Sequence, residues 1–192
     1  LFDFRLMFPL PFIRHDGEQA ALFGLLVVLQ NLPVYLPAGL STERDALPVD
    51  GWTNKGGYWL SEGRRWLLEE ILPQLPDELV ALIRPRKIVE NLSYLKMEYQ
   101  DQLWMPCETD LFGRDEDESW QEGIADGPDD FQLPGFLTDD SRVVLLDGRP
   151  AWAWLRSVYY SSNDYFLSID TDGAVSSNNA YSSGAVAPGF DF

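Results

Sequence analysis

The chain has a single cysteine, Cys107, so no disulfide can close within it and its stability must come from packing. It has a single histidine, His15, which leaves no room for a multi-histidine metal centre and little for imidazole catalysis. Basic residues are scarce: 14 Lys and Arg stand against 31 Asp and Glu, a net charge of −17. Phosphate backbones attract Lys and Arg, so no nucleic-acid partner is expected. An anionic membrane surface would repel the chain as well. The apolar run Ala20–Leu29 is too short to span a bilayer and reads as buried core, so no membrane insertion is expected. Residues 1–13 are apolar but carry Asp3, Arg5, Pro9 and Pro11, and do not make the pattern of a signal peptide.

What is present is aromatic and apolar. Hydrophobic residues make up 45% of the 192, with 7 Trp, 8 Tyr and 11 Phe. A chain of this size and content can bury a core as a single domain, and we expect one domain over residues 1–192. The acidity reads first as a solvated surface, with much of it in loops such as Arg114–Glu118 and Asp126–Asp130.

Residues 1–14 are expected to be extended, because Pro9 and Pro11 oppose helix, with a turn at His15-Asp16-Gly17. Leu22–Leu29 reads as a buried strand from Val27 and Val28, with helix left open by Ala20 and Ala21. Residues 31–58 are punctuated by Pro and Gly as loop. Ser61 is a good N-cap for a helix over 61–72 that carries Trp66, Leu67 and Ile71 on one face and ends at Pro73. Pro76 suits the first turn of a second helix over 76–84, with Leu79, Leu82 and Ile83 facing inward and Pro85 stopping it. Strands follow at Ile88–Leu95 and at Asp101–Pro106, and Cys107–Gly113 reads as one helical turn closed by Gly113. Residues 114–134 form an acidic loop whose apolar content is Trp120, Ile124 and Phe131.

The tail, Ala151–Phe192, carries the functional signal. Apolar anchors open it (Trp152, Trp154, Leu155) and close it (Val186, Pro188, Phe190, Phe192). Ala151–Leu155 reads as a central strand, Tyr165–Ile169 as a second strand, Thr171-Asp172-Gly173 as a hairpin turn, Ala174–Ser177 as the return and Ala185–Ala187 as a closing strand. Between the anchors lie Tyr159–Tyr165 and Ser176–Ser183, almost wholly Tyr, Ser, Asn and Asp. Tyr gives contact area at low entropic cost and Ser and Asn give adaptable hydrogen bonding, which is the chemistry of a recognition surface.

These residues resemble a known group. Trp152-Ala153-Trp154-Leu155-Arg156-Ser157, the strand ending in Asp172-Gly173-Ala174-Val175, and Gly184-Ala185-Val186-Ala187-Pro188-Gly189-Phe190 are similar to the C-terminal signature of formylglycine-generating-enzyme-like domains with the C-type lectin fold. Trp66-Leu67 with Ile71-Leu72 and Leu75-Pro76, then Leu103-Trp104-Met105-Pro106, then Leu111-Phe112-Gly113 agree in order and spacing. The resemblance covers roughly residues 50–192. It implies an α+β, C-type lectin-like fold: two helices packed on small twisted antiparallel sheets with much irregular loop. Within the group, the tail resembles the variable proteins of diversity-generating retroelements, in which miscopied template adenines turn Asn codons into Tyr, Ser and Asp.

The function implied is non-enzymatic recognition of a protein or cell-surface ligand, by a protein that is surface-exposed, secreted or virion-associated. The alternative is a structural or adhesive module of the same fold without diversification. The expected contacts are Tyr159, Tyr160, Ser162, Asn163, Asp164, Tyr165, Ser168, Asp170, Ser177, Asn179, Tyr181 and Ser183. Trp152, Trp154, Leu155, Val175, Val186 and Pro188 are expected to be buried scaffold. The namesake enzyme works through active-site cysteines; Cys107 alone, ahead of a short helix, reads as a buried cap, and no catalysis is expected. Asp170 and Asp172, with Asp126, Asp129 and Asp130, are hard oxygen ligands for calcium. The β-turn accounts for the first two, and no metal or cofactor is expected. Arg156 is expected to pair with a buried acid or carbonyl.

Overall fold

The computed structural model describes residues 53–92, 95–113, 119–120 and 132–191, together with the paired strands β1 (Phe12–Ile13) and β2 (Gln19–Ala20). The expected strand at Leu22–Leu29, most of the acidic loop, and Trp52, Ile124 and Phe131 lie outside the described residues. The antiparallel pairing of β1 and β2 brackets the turn expected at 15–17.

Ser61 caps helix α1 (Glu62–Trp66), its Oγ accepting the backbone N–H of Arg64 at 3.0 Å. The chain then widens into a π turn (Leu67–Ile71) and tightens into a 3-10 turn (Leu72–Gln74). Pro73 was expected to end the helix. It sits instead in the first turn of the 3-10 segment, where its missing N–H has no partner to lose. Leu67 and Ile71 are buried, and Trp66 packs at the edge of the core. Helix α2 is short (Asp77–Val80), with Pro76 as its N-cap rather than inside it. Beyond Val80 the chain continues as single turns, Leu82 N–H to Leu79 and Ile83 N–H to Val80, before Pro85. That tightening turns Leu82 outward, so it is 63% exposed, against the inward face expected for it, while Ile83 is buried.

A hairpin of β3 (Arg86–Leu92) and β4 (Leu95–Asp101) follows, aligned at Ile88↔Tyr99 and Glu90↔Met97. Arg64 ties α1 to its end through two bonds to the Asp101 carboxylate, 2.8 and 2.6 Å, with the guanidinium over the rings of Trp59 and Tyr99. Asp101 is the last residue of β4, not the start of a further strand; Trp104 makes only a single bridge, to Gly189. A Cβ on Gly189 would lie 2.6 Å from the Trp104 ring, so glycine is what allows that approach.

Cys107 caps α3 (Glu108–Phe112) reciprocally. Its sulfur accepts the Asp110 N–H at 3.4 Å and the Asp110 carboxylate accepts the Cys107 N–H at 2.8 Å. Gly113 closes the turn with a positive φ of 81°, as expected from sequence. After α4 (Asp139–Arg142), β5 (Val144–Leu146) and β6 (Arg149–Ala151) are joined through Asp147 and Gly148, both left-handed, as a two-residue hairpin requires.

The principal sheet is antiparallel, ordered β7 (Ala153–Val158), β8 (Tyr165–Ile169), β9 (Val175–Asn179). The expected strand at Ala151–Leu155 starts two residues later and is not the central one; β8 is. Phe166 joins Trp154, Val158 and Phe190 in the larger core, while Leu167 and Ile169 join Ala153, Leu155 and Leu111 in a second one. β8 is thus covered on both faces. Between Trp154 and Val158 the β7 register slips against β8, which frees Arg156 from the ladder. Its guanidinium donates to the Met105 carbonyl at 2.7 Å and to Asp110 at 2.8 Å. Of the scaffold set, Trp154, Leu155, Val186 and Pro188 are buried, and Trp152 and Val175 are half-buried. Ala185 makes a bridge to Ala153 and no longer closing strand. The described chain is a mixed α+β fold of short helices and small antiparallel sheets.

Candidate functional site

The Tyr/Ser/Asn segments meet at one end of the β7–β8–β9 sheet. The chain leaves β7 at Val158, turns through 159–164 and re-enters as β8. The Tyr159 N–H bonds the Tyr165 carbonyl at 3.2 Å and closes the turn. Tyr159 packs against the second core, and polar groups hold the rest of the loop. Asn54, nearly fully buried, supplies them: its Nδ2 donates to the carbonyls of Ser162 (2.8 Å) and Tyr165 (2.7 Å), and its N–H donates to Asn163 O at 2.9 Å. Thr53 Oγ1 adds a bond to the same Asn163 carbonyl at 3.0 Å. Inside the loop the Ser162 hydroxyl donates to the Asp164 carboxylate.

The second polar segment is attached by strand pairing. Tyr165 lies opposite Asn179, and Asn179 Nδ2 donates to Tyr165 Oη at 3.0 Å. The Ala180 N–H bonds the Asp164 carbonyl at 2.7 Å. Tyr181 and Ser183 then stand exposed on the turn beyond β9.

One residue of this surface was not among the expected contacts. Trp120 carries a tilted ring 6.0 Å from Tyr159, and its carbonyl accepts the Tyr160 N–H at 3.1 Å. Tyr159 in turn sits 5.3 Å from Tyr160 and 6.3 Å from Tyr165. The four rings form one cluster, with Trp120 39% and Tyr160 61% exposed. Glu108 fixes Trp120: its buried carboxylate accepts the Trp120 N–H at 3.1 Å and the Ser119 hydroxyl at 2.7 Å. A tryptophan isolated in an acidic stretch was the signal in the sequence; nothing local showed that it folds back on the tail.

Tyr159, Tyr160, Ser162, Asn163, Asp164, Tyr165, Asn179, Tyr181 and Ser183 therefore belong to this end of the sheet, all exposed or half-exposed. Ser177 is half-buried in the middle of β9, on the same face as Tyr165 and Asn179 by strand alternation. Two expected contacts do not join the patch. Ser168 is completely buried, because the face it shares with Phe166 packs into the core rather than facing solvent. Asp170 is exposed but stands past the far end of β8, about 16 Å from Tyr165 at the rise of a strand. Its carboxylate accepts the Thr171 N–H and that of Asp172 the Ala174 N–H, so both serve the turn. Arg142 anchors that turn from outside, donating to the Gly173 carbonyl at 3.1 Å.

Two polar centres are buried in the fold. Burial alone would raise the Asp110 carboxyl, but the charges of Arg156 and Arg86 outweigh it and hold the group below its ordinary range. The carboxylate takes Arg156 at 2.8 Å and Arg86 at 2.9 Å. Burial pushes the Cys107 thiol up to about 12, so it is protonated near neutrality, a cap rather than a nucleophile. Glu90 receives the Tyr58 N–H at 2.8 Å and the Tyr99 hydroxyl, and burial raises its carboxyl above the ordinary value.

Among the described residues no helix is long and apolar enough to cross a membrane, and no group of three or more His, Cys, Asp and Glu side chains could hold a metal. Neither a curated protein nor a solved structure matches the chain. The family model that does match covers residues 40–191, which span the helical pair, the cysteine-capped turn and the whole of the aromatic patch, and the chain belongs to that family, the domain of unknown function DUF6273.

Proposed function

We propose that the chain is a non-enzymatic recognition module, built on a C-type lectin-like scaffold of the formylglycine-generating-enzyme-like kind and displaying its Tyr/Ser/Asn surface to a protein or cell-surface ligand. The observation that carries this reading is the ring cluster of Trp120, Tyr159, Tyr160 and Tyr165. It is exposed at its rim, bordered by Asn163, Asp164, Tyr181 and Ser183, and held from behind by Asn54 and Glu108. Large aromatic side chains fixed by a polar, buried second layer are pre-ordered for contact, so binding loses little conformational entropy. The placement suits a protein exposed on a cell surface, secreted or carried on a virion.

The test is a set of surface variants. Tyr160→Ala combined with Tyr181→Ala should leave the melting temperature unchanged and abolish attachment of the protein to cells or surfaces that the wild type recognises. Unchanged attachment would remove this patch as the site.

Diversification of the tail, as in retroelement variable proteins, is the finer part of the proposal. It expects a neighbouring reverse transcriptase and a template repeat, with adenine-only changes at codons for the exposed positions. A second reading, a constant adhesive module of the same fold, draws support from the internal commitments of Ser168, Asn179 and Ser162, whose side chains are buried or bonded within the fold. Gene copies from close relatives that vary evenly, or not at all, over 159–183 would favour this second reading.

A further inference from the structure

Several rings of this fold, buried and half-buried, have a guanidinium laid over them. Arg64 covers Trp59 and Tyr99, Arg86 covers Trp104 at 4.0 Å, and Arg142 covers Phe112 at 4.4 Å. No described cation–π contact involves Trp120, Tyr159, Tyr160 or Tyr165. We infer that these rings receive their cations from outside: the patch binds an exposed Arg- or Lys-rich segment of a partner protein. The inference rests on the reading of this patch as a recognition surface and adds the chemistry of the partner.

Charge complementarity carries it. Residues 157–192 contain no Lys or Arg at all, and neither do residues 115–141, on either side of Trp120. Asp115, Glu116, Asp117, Glu118 and Glu122 flank Trp120 in the sequence. The Glu108 carboxylate sits directly behind Trp120, and Asp164 lies in the loop that carries Tyr159 and Tyr160. Arg156, the described cation nearest this loop along the chain, is buried against Asp110, and Lys55 stands next to the clamp residue Asn54. A ring face is the negative end of its quadrupole, so a guanidinium laid on it is attracted, and more strongly where carboxylates surround it. A net charge of −17 would add long-range steering of a basic segment toward the patch.

The experiment selects displayed random linear peptides on the full chain and on the double variant Trp120→Ala/Tyr160→Ala. Both substitutions keep the backbone bonds to Glu108 and between the two residues, and neither changes the net charge. General attraction of basic peptides to an acidic protein is therefore the same for both. The expected result is enrichment of Arg- and Lys-containing peptides on the wild type. A selected peptide should bind the double variant about tenfold more weakly, the sum of two exposed cation–π contacts, and should lose as much when its Arg is replaced by citrulline. Enrichment of neutral or acidic peptides that the double variant loses would overturn the cationic assignment and leave the recognition surface standing. So would binding of a neutral glycan lost in the same variant. Equal selection on both proteins, or none on either, would overturn both.

Discussion

Asn54 holds Tyr165 from a distance of 111 positions in the chain, donating its side-chain amide to the Tyr165 carbonyl at 2.7 Å. The same nitrogen also donates to Ser162 O at 2.8 Å, so one buried amide fixes the loop that carries the aromatic patch both within it and where it enters β8. Replacing it by alanine takes this donor from the Ser162 carbonyl and leaves the Tyr165 carbonyl with the Tyr159 N–H alone. Asn54→Ala should lower stability by about 1–3 kcal/mol in chemical denaturation, the range for leaving buried polar groups unsatisfied. Asn54→Asp is the sharper variant. It is nearly the same shape, but it sets acceptors against acceptors, and it should destabilise at least as much. Hydrogen exchange should speed up at residues 162–165 in both. Wild-type stability in Asn54→Asp would mean that the clamp contributes nothing.

Acid stability should depend on Asp110, and with a definite sign. Its folded-state carboxyl titrates below the ordinary 3.8, so the unfolded chain binds more protons in that window. The contribution is present above 3.8 and is lost as pH falls through the folded value. Glu90 has the opposite sign. Raised above 4.5 in the folded protein, it contributes most below 4.5, and that contribution is lost as pH rises through its folded value. Unfolding free energies measured against pH should therefore lose their acid limb in Asp110→Asn and lose the opposing slope in Glu90→Gln. Asp110→Ala, which strands the Arg156 and Arg86 charges, should destabilise by about 3–5 kcal/mol.

Local chemistry was legible in the sequence, and long-range assembly was not. Ser61, the Cys107–Gly113 turn, the Asp172-Gly173 turn and strand Tyr165–Ile169 could be read directly, because a cap or a left-handed glycine acts within four or five residues. Arg156 could be expected to pair inside, since a cation beside a core strand needs a partner, but which acid it meets depends on a β7 register slip that no local pattern announces. The patch was half-legible. Its Tyr/Ser/Asn chemistry is written in the tail, while Trp120 and Asn54 reach it only through tertiary contacts. Ser168 was misplaced for one reason: alternation along β8 assumes one solvent face, and a strand covered on both sides has none.

Cys107 should behave as a cap. With its thiol buried and pushed up to about 12, alkylation of the folded protein near neutral pH should be slow, and should become fast in denaturant. Cys107→Ser keeps an acceptor for the Asp110 N–H and should change stability little. Cys107→Ala removes it and should lose about 1 kcal/mol. Rapid labelling of the native protein would contradict the buried, protonated state.

Ser168 and Tyr160 carry the same kind of polar side chain in the same tail, yet the fold assigns them opposite sensitivities. Ser168 has no exposed surface and stands opposite Trp154 and Ser176 in the sheet, where its hydroxyl has no hydrogen-bond partner among the described residues. Ser168→Ala removes a hydroxyl that is already unsatisfied, so stability should stay level or rise slightly. Ser168→Tyr must place a ring where the Trp154 and Phe166 core leaves no room, and overpacking of that size should cost about 1–3 kcal/mol or more. Tyr160 is 61% exposed and its backbone bond to Trp120 survives truncation, so Tyr160→Ala should leave the melting temperature within the scatter of surface substitutions. Thermal melts of the three variants side by side decide the matter. If Ser168→Tyr melted with the wild type, β8 would have an open face after all, and Ser168 would return to the set of ligand contacts.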